Sequence, residues 1–366
     1  MRRLLTKQLR PGMVLGEAIF SMDNEELVIP KGSVLDEKLI SKLLLQTAIA
    51  VRIEDDDITD DTEELLEEAH ADGREPSHAE KLRATPEFKQ FRRDFEETFS
   101  DFGNRINDVI TGNEDLHPEE ITEPVMNLID STTGPSGLFD MLHSLRQYSD
   151  ETYAHSVNVA LIANAIGQWL KLPEKDLTVL TQAGLLHDIG KLVVPQDIIG
   201  KPSRLTDEEY RTIQQHAAKG YELVRDKKID PRIKAAILMH HERCDGTGYP
   251  AHLQAARIDP FAKYVAIADV YDAITSARVY RGPLCPFVAI ELMESEGLQK
   301  YDTQAIMTFL SNVVNVYLFN RVRLNDGSEG DIIYINRDHF ARPTVRIDGE
   351  YVDLVKTPDL HIETII

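Results

Sequence analysis

Leu185-Leu186-His187-Asp188-Ile189-Gly190-Lys191 sets a histidine and an aspartate side by side at the end of an apolar run, with a glycine and a lysine close behind. Leu192, Val193 and Val194 continue the apolar surroundings, so the pair lies at the edge of a core. A charge buried there must be paired or must bind a metal. The pair offers an imidazole nitrogen and two carboxylate oxygens, and one carboxylate can bridge two ions. Taken alone, a His-Asp dipeptide is more often a satisfied core histidine beside a capping aspartate, because short motifs match by chance. The rest of the chain has to decide between these readings.

Around this stretch, from Pro118 to Leu318, the pattern is almost continuously helical: Glu120–Ser131, Tyr153–Leu170, Glu174–His187, Thr206–Val224, Pro231–His241, Phe261–Thr275, Pro286–Glu296 and Thr303–Phe319, separated by short Pro- and Gly-containing loops. Its size fits one large helical core. Inside it, Glu151 and His155 stand four residues apart and share a helix face. His216, the pair His240-His241 and Asp269 follow, each with apolar neighbours such as Ile237-Leu238-Met239 and Val265-Ala266-Ile267-Ala268. One core histidine is ordinary. Five histidines and three carboxylates on amphipathic helices of one domain are not. The other seven histidines, His70, His252 and His361 among them, sit in polar or loop surroundings and read as bland.

Successive helical side chains diverge by about 100°. His240-His241 and His187-Asp188 therefore serve one ion poorly. They suit two ions side by side, or a helix end where the backbone bends. Paired ions about 3.5–4 Å apart clamp the attacking and leaving oxygens of a displacement at phosphorus. All the candidate ligands are nitrogen or oxygen, which favours iron or manganese over structural zinc. Cys244 follows the histidine pair across a charged turn and reads as a rim residue.

The flanks differ in character. Residues 1–53 read as a small mixed unit: a turn at Arg10-Pro11-Gly12-Met13, strands at Val14–Phe20 and Glu26–Ile29 around an Asp23-Asn24 turn, a helix at Asp36–Leu45 with Asp36 as N-cap, and a strand at Ala50–Ile53. Residues 54–118 read as an acidic, partly helical linker. Ten of the fifteen residues Glu54–Glu68 are acidic and none is basic, the signature of a solvated segment. Phe88, Phe91, Phe95, Phe99 and Phe102 form a stripe on the helix expected at Pro86–Ile110, suited to packing on another helix or a dimer mate. Residues 321–366 turn to period two, with strands at Arg321–Leu324, Asp331–Ile335, Thr344–Ile347 and Tyr351–Leu354 and hairpin turns at Asp326-Gly327 and Asp348-Gly349.

The chain has 366 residues and a formal net charge of −22. An acidic surface repels nucleic-acid polymers but leaves room for a small anionic substrate where Lys and Arg gather. No run approaches the ~18 apolar residues of a membrane span, and no signal-peptide pattern follows Met1, so a cytoplasmic protein is expected. Cys244 and Cys285 make no disulfide framework.

Leu186–Lys191, His216, the run His240-His241-Glu242-Arg243-Cys244-Asp245-Gly246-Thr247-Gly248-Tyr249-Pro250, Ala268-Asp269-Val270-Tyr271-Asp272-Ala273 and Thr275–Arg281 together resemble the HD-GYP family, a branch of the HD phosphohydrolases that degrades cyclic di-GMP. The resemblance covers about residues 119–320, with several motifs in order and spacing. It implies a mainly α fold: an all-helical HD-type metal-dependent phosphohydrolase domain, here with small β-rich units at both ends. It also implies metal ligation by His155, His187, Asp188, His216, His240, His241 and Asp269, with Glu151 matching an extra ligand of members that hold three metals. The cofactor expected is two or three divalent ions, iron or manganese. Two departures stand out. Ala251-His252-Leu253-Gln254-Ala255 replaces the family's usual Gly-Leu-x-Gly continuation, losing both glycines, and Tyr301-Asp302-Thr303 replaces Phe-Asp-Pro.

Lys191, three residues past Asp188, can reach a phosphate oxygen. Arg278 comes nine residues after Asp269 and on a straight helix would point away from it, so that helix must end or bend near Thr275. The resemblance gives Arg278 and Arg281 the positions that contact the nucleotide, and an Arg fork suits phosphate or a guanine edge. Tyr249 either contacts the nucleotide or belongs to a rigid partner-docking loop. The expected activity is metal-dependent hydrolysis of cyclic di-GMP to linear pGpG and GMP. The alternatives are a cyclic-dinucleotide receptor of weak activity and a phosphodiesterase for a mixed cyclic dinucleotide. Expected partners are the cyclic dinucleotide, a second copy as homodimer, and a signalling protein at the Gly-Tyr-Pro loop or the N-terminal region.

Overall fold

The computed structural model describes residues 2–5, 13–15, 19–20, 27–35, 39–40, 50–54, 77–112, 114–145, 152–199, 201, 205–276 and 284–366. The chain divides into two compact units, Met1–Arg74 and Glu75–Ile366. The stretch 54–118, expected as one linker, is split by this division, and its part from Glu75 onward belongs to the second unit.

In the first unit β1 (Arg2–Leu5), β5 (Ala50–Glu54) and β2 (Val14–Leu15) form an antiparallel sheet in the order β1-β5-β2, with Arg2 opposite Ile53 and Leu15 opposite Ile53 on the other side. β3 (Ile19–Phe20) pairs antiparallel with β4 (Leu27–Ile29). Leu15, Ile29 and Leu35 are its buried apolar residues among those described. The Asp23-Asn24 turn, Asp36 and the acidic run beyond Glu54 lie outside the described residues. Of the helix expected there, Leu39 and Ile40 are described and are helical.

The second unit is helical with one sheet. Its helices are α1 (His78–Arg83), α2 (Pro86–Thr111), α3 (Pro118–Asp130), α4 (Gly134–Leu145), α5 (Thr152–Trp169), α6 (Glu174–Leu186), α7 (Gln196–Ile199), α8 (Asp207–Gln214), α9 (His216–Val224), α10 (Pro231–Met239), α11 (Pro260–Thr275), α12 (Pro286–Lys300) and α13 (Thr303–Val316). Several starts follow local rules. Thr85, Asp230, Asp259 and Asp302 cap α2, α10, α11 and α13 with their side chains, and proline stands at the first turn of α2, α10 and α11. Asp302, from the altered triplet near the domain end, thus works as a helix cap.

α5 is apolar on nearly all sides, with Val157 and Val159 through Ala163 fully buried, which marks it as a central helix. α6 lies close against it: a methyl added to Gly184 would come within 2.6 Å of Ala160 Cα. Arg232 ties α10 to this centre. It pairs with Asp176 of α6 at 2.7 Å, and its guanidinium lies 4.5 Å over the Phe261 ring of α11. The phenylalanine stripe of α2 points inward, with Phe88, Phe91, Phe95 and Phe102 buried and Phe102 edge-on to Tyr153 of α5. It is satisfied within one chain and needs no dimer mate.

The five-stranded antiparallel sheet runs β10 (Ile362–Ile365), β6 (Arg321–Leu324), β7 (Glu329–Tyr334), β8 (Thr344–Ile347), β9 (Glu350–Asp353) in spatial order. Asp348 and Gly349 take φ of 49° and 88° in the β8–β9 hairpin, the left-handed pair that a two-residue turn requires. Val322, Leu324, Ile332, Val345 and Ile362 join the helical core. Several elements differ from the sequence reading, α4, β10 and the helix pair α8–α9 among them. α4 was not expected, because Gly134-Pro135-Ser136-Gly137 has loop composition, yet Leu138, Phe139 and Leu142 bury its far half. β10 was not expected, because its short run gains its pattern only from pairing with β6. The segment read as one helix over Thr206–Val224 is two, α8 and α9, meeting at Gln215.

Candidate metal centre

Five elements meet at one point, and the two adjacent pairs sit where helices end. His187 closes α6 with helical angles, and Asp188 then turns to φ −101°, ψ 11° to start a 3-10 turn over Ile189–Val193. His240 closes α10 in the same way, and His241 follows in the turn. The bend at each helix end lets both neighbours face one space, which a continuing helix forbids. His155 enters from α5, His216 from the first residue of α9, and Asp269 from α11. Gly190 makes this convergence sterically feasible: a methyl there would overlap the carbonyl oxygen of His216 and the backbone nitrogen of Gly220. The glycine after the His-Asp pair is therefore demanded by close approach to α9.

Two groups of residues can each hold a cation, His155 with His187 and Asp188, and Asp188 with His216, His240 and His241. Asp188 belongs to both. Its Oδ2 lies 3.6 Å from His155 Nε2 and 3.3 Å from His187 Nε2, while its Oδ1 lies 3.3 Å from His216 Nε2 and 3.7 Å from His240 Nε2. Asp269 spans the same two groups, with Oδ1 3.2 Å from His155 Nε2 and Oδ2 3.9 Å from His241 Nδ1.

The donor atoms are prepared for a cation. His187 Nδ1 donates to the carbonyl of Gly184 at 2.7 Å, His216 Nδ1 to Ile213 at 2.6 Å, and His240 Nδ1 to Ala236 and Ile237 at 3.1 and 3.0 Å. Donation from Nδ1 leaves Nε2 as the atom that can offer a lone pair inward. His216 Nε2 and His240 Nε2 stand 3.2 Å apart, a repulsive pairing of acceptors unless a proton or cation lies between them. His187 Nε2 and Asp188 Oδ1 are buried without a hydrogen-bond partner among the described residues. Such orphans demand an explanation, and a metal ion supplies one.

Burial opposes charge on Asp188 and Asp269, but Lys191 and the imidazoles beside Asp188, and His155 and His241 beside Asp269, hold both carboxyls well below the usual carboxylate range. Burial lowers His240 and, with His240 beside it, holds His241 well below an ordinary imidazole, which favours the neutral form that a ligand needs. Burial also opposes charge on His155, but Asp269 and Asp272 override it and raise its pKa to about 10. Lys191 pairs through Nζ with Asp188 Oδ2, within the cluster's rim and half-buried. α11 ends at Thr275, and Ser276 turns to an extended conformation, so the bend expected before Arg278 is present. Glu151, Arg278 and Arg281 themselves lie outside the described residues.

The loop after the histidine pair is a rigid turn. Tyr249 N donates to His241 O at 3.1 Å, and the Tyr249 ring lies 4.6 Å from that of His241. A methyl on Gly248 would overlap the backbone of His241, Glu242 and Arg243. The Tyr249-Pro250 peptide is cis. Glu242, buried, accepts from Ala251 N at 2.7 Å and from Leu253 N at 2.8 Å, which pins the loop from within. Of the two replaced glycines, His252 stands at a left-handed position, φ 54°, whereas Ala255 begins an ordinary 3-10 turn. Sequence reading gave no role to Glu242 or to Asp272, whose Oδ2 lies 2.7 Å from His155 Nδ1. The signal for each was its place, directly after the histidine pair and three residues after Asp269.

Residues 138–305 match the HD domain family. The chain is 35% identical over 214 residues to a cyclic di-GMP phosphodiesterase of Pseudomonas aeruginosa, covering 58% of this chain and 51% of that protein. It is 32% identical over 218 residues to a cyclic di-GMP phosphodiesterase of Thermotoga maritima, covering 58% of each. It is 35% identical over 170 residues to 3'3'-cGAMP-specific phosphodiesterase 1 of Vibrio cholerae, covering 46% of this chain and 39% of that protein. The chain thus spans between 39% and 58% of the length of these relatives. Among its described residues no helix is long and apolar enough to cross a membrane.

Proposed function

We propose that this chain is of the HD-GYP branch and is a metal-dependent phosphodiesterase that opens cyclic di-GMP to linear pGpG and cleaves that product to GMP. The observation that carries the reading is the sharing of Asp188, one oxygen toward His155 and His187 and the other toward His216 and His240. A carboxylate so placed suits two cations a short distance apart, the arrangement used for displacement at phosphorus. The ligands of this reading are His155, His187, Asp188, His216, His240, His241 and Asp269, and the nitrogen and oxygen donors favour iron or manganese. When bound, such ions supply Lewis acidity for a phosphate and acidify a water. The chain's own residues do the rest. Asp188 and Asp269 keep the negative charge that retains the cations, Lys191 offers an ammonium to a non-bridging phosphate oxygen, and Tyr249, held against His241, bounds the site. Arg278 and Arg281 bind the nucleotide in this reading, and Glu151 adds a ligand for a third ion.

The substrate class draws support from relatives named for cyclic di-GMP and for 3'3'-cGAMP, so the two dinucleotides are the substrates to compare. A pure receptor is disfavoured, because binding alone does not call for a complete set of cation ligands. A cytoplasmic location, a homodimer and a signalling partner at the Gly-Tyr-Pro loop or the N-terminal unit belong to the proposal and rest on the sequence reading. The test is anaerobic loading with iron or manganese, a count of ions per chain, and separation of the products from each dinucleotide. Release of pGpG and then GMP is expected, with cyclic di-GMP cleaved faster. A fully loaded protein that cleaves neither would end the proposal.

A further inference from the structure

His155, His187, His216 and His240 all turn Nε2 into the cluster and commit Nδ1 elsewhere. For His187, His216 and His240 the Nδ1 partner is a backbone carbonyl. For His155 it is a carboxylate, Asp272 Oδ2 at 2.7 Å. Asp272 is itself only 1% exposed. Its other oxygen accepts from Ser276 Oγ at 2.8 Å, and its backbone carbonyl accepts from Ser276 N at 2.8 Å, closing the end of α11. Both carboxylate oxygens are therefore engaged on the far side of the imidazole, which makes Asp272 a poor candidate for a ligand and a good one for an anchor.

A carbonyl fixes the tautomer of a ring it accepts from. A carboxylate does this too, and its full charge makes the opposite nitrogen a stronger donor to a cation. Asp188 and Asp269 each reach both groups of the cluster. Among the described residues, Asp272 is the acid that distinguishes one group from the other. We propose that Asp272 is a positioning residue that locks His155 with Nε2 toward the cation, and that it selectively strengthens the His155–His187 half of the centre. Ser276 holds the carboxylate through its other oxygen. The inference rests on the cluster being a metal centre and does not depend on its substrate.

The experiment is an anaerobic Mn(II) titration of the full chain against a competing chelator, for the wild type, Asp272→Ala, Asp272→Asn and Ser276→Ala, with the electron paramagnetic resonance signal of coupled Mn(II) pairs recorded alongside. Asp272→Ala should weaken one ion by about 10- to 100-fold and leave the other near its wild-type affinity. The coupled-pair signal should then vanish at manganese levels that saturate the wild type. Asp272→Asn keeps an oxygen for His155 Nδ1 and an amide for Ser276 but loses the charge, so its affinity should fall between the two, and Ser276→Ala should fall closer to wild type. Wild-type affinity for both ions in Asp272→Ala and Asp272→Asn would overturn the proposal. If Asp272→Ala loses its helical circular dichroism, Asp272→Asn decides, and wild-type binding in that variant overturns it equally. A chain that shows the expected selective loss yet cleaves no cyclic dinucleotide would refute the proposed function and support the role of Asp272.

Discussion

At the scale of single residues, the centre is built by assigning each polar atom one task. Three histidines spend Nδ1 on carbonyls of the preceding helical turn, which costs the fold little and fixes the direction of Nε2. Asp188 carries more than one task, because it belongs to both groups of candidate ligands and also pairs with Lys191. Its removal should therefore do more than remove one ligand. Asp188→Ala is expected to strip bound metal from both halves and to abolish hydrolysis while the helical signal persists, since the core around it is apolar and independently packed. Metal analysis with circular dichroism checks this, and normal metal content in the variant would contradict the shared role. The candidate ligands were readable in the sequence because adjacent polar pairs inside apolar helices are rare. Asp272 was not, because an aspartate that accepts from a histidine has the same local appearance as one that faces water.

At the scale of elements, function depends on where helices stop. α6 and α10 end beside their ligand pairs, and α11 ends at Thr275 so that the chain can turn. The loop after α10 is then held by a buried side chain together with backbone bonds such as Tyr249 N to His241 O and Ala255 N to Cys244 O. Glu242 accepts two backbone N–H groups in the interior, and charge-assisted bonds of this kind contribute about 1.5–3 kcal/mol each. Glu242→Ala should destabilise the chain by roughly 2–4 kcal/mol, since the two N–H groups lose their acceptor. It should also raise the Michaelis constant by loosening Tyr249. Glu242→Gln keeps one acceptor oxygen and should lie between. Urea unfolding with steady-state kinetics tests this, and an unchanged midpoint in Glu242→Ala would show that the loop is held by other contacts. Most helices and four of the five strands of the second sheet were legible from periodicity and caps, whereas α4 and β10 take their order from the partners they meet.

At the scale of the whole molecule, the second unit joins helices and sheet in one core. Val322, Leu324, Ile332, Val345, Leu354 and Ile362 are buried with the helical residues. Glu294 of α12 accepts from Phe340 N and Ala341 N, and Arg342 pairs with Glu291 at 2.9 Å. Burying each such apolar side chain is worth about 1.5–3 kcal/mol, so the sheet is a structural part of the domain. A chain ended after Asn320 should lose many degrees of thermal stability or aggregate. One begun at Glu75 should keep its metal content, because its core is continuous without the first unit. Thermal unfolding and metal analysis of the two truncations check this, and a stable chain ended after Asn320 would show that the sheet is dispensable.

The sequence by itself determined the helical class, the alternating strands at the end of the chain, the turn residues and the identity of the metal-centre candidates, because these depend on near neighbours: periodicity, caps, and polar residues set in apolar runs. Tertiary structure decided which oxygen of Asp188 faces which histidine, that the phenylalanine stripe of α2 is covered within one chain, and that His155 rests on an aspartate 117 residues away. Such pairings are set by how helices cross and how closely glycine lets them approach, and no local window of residues carries that distance.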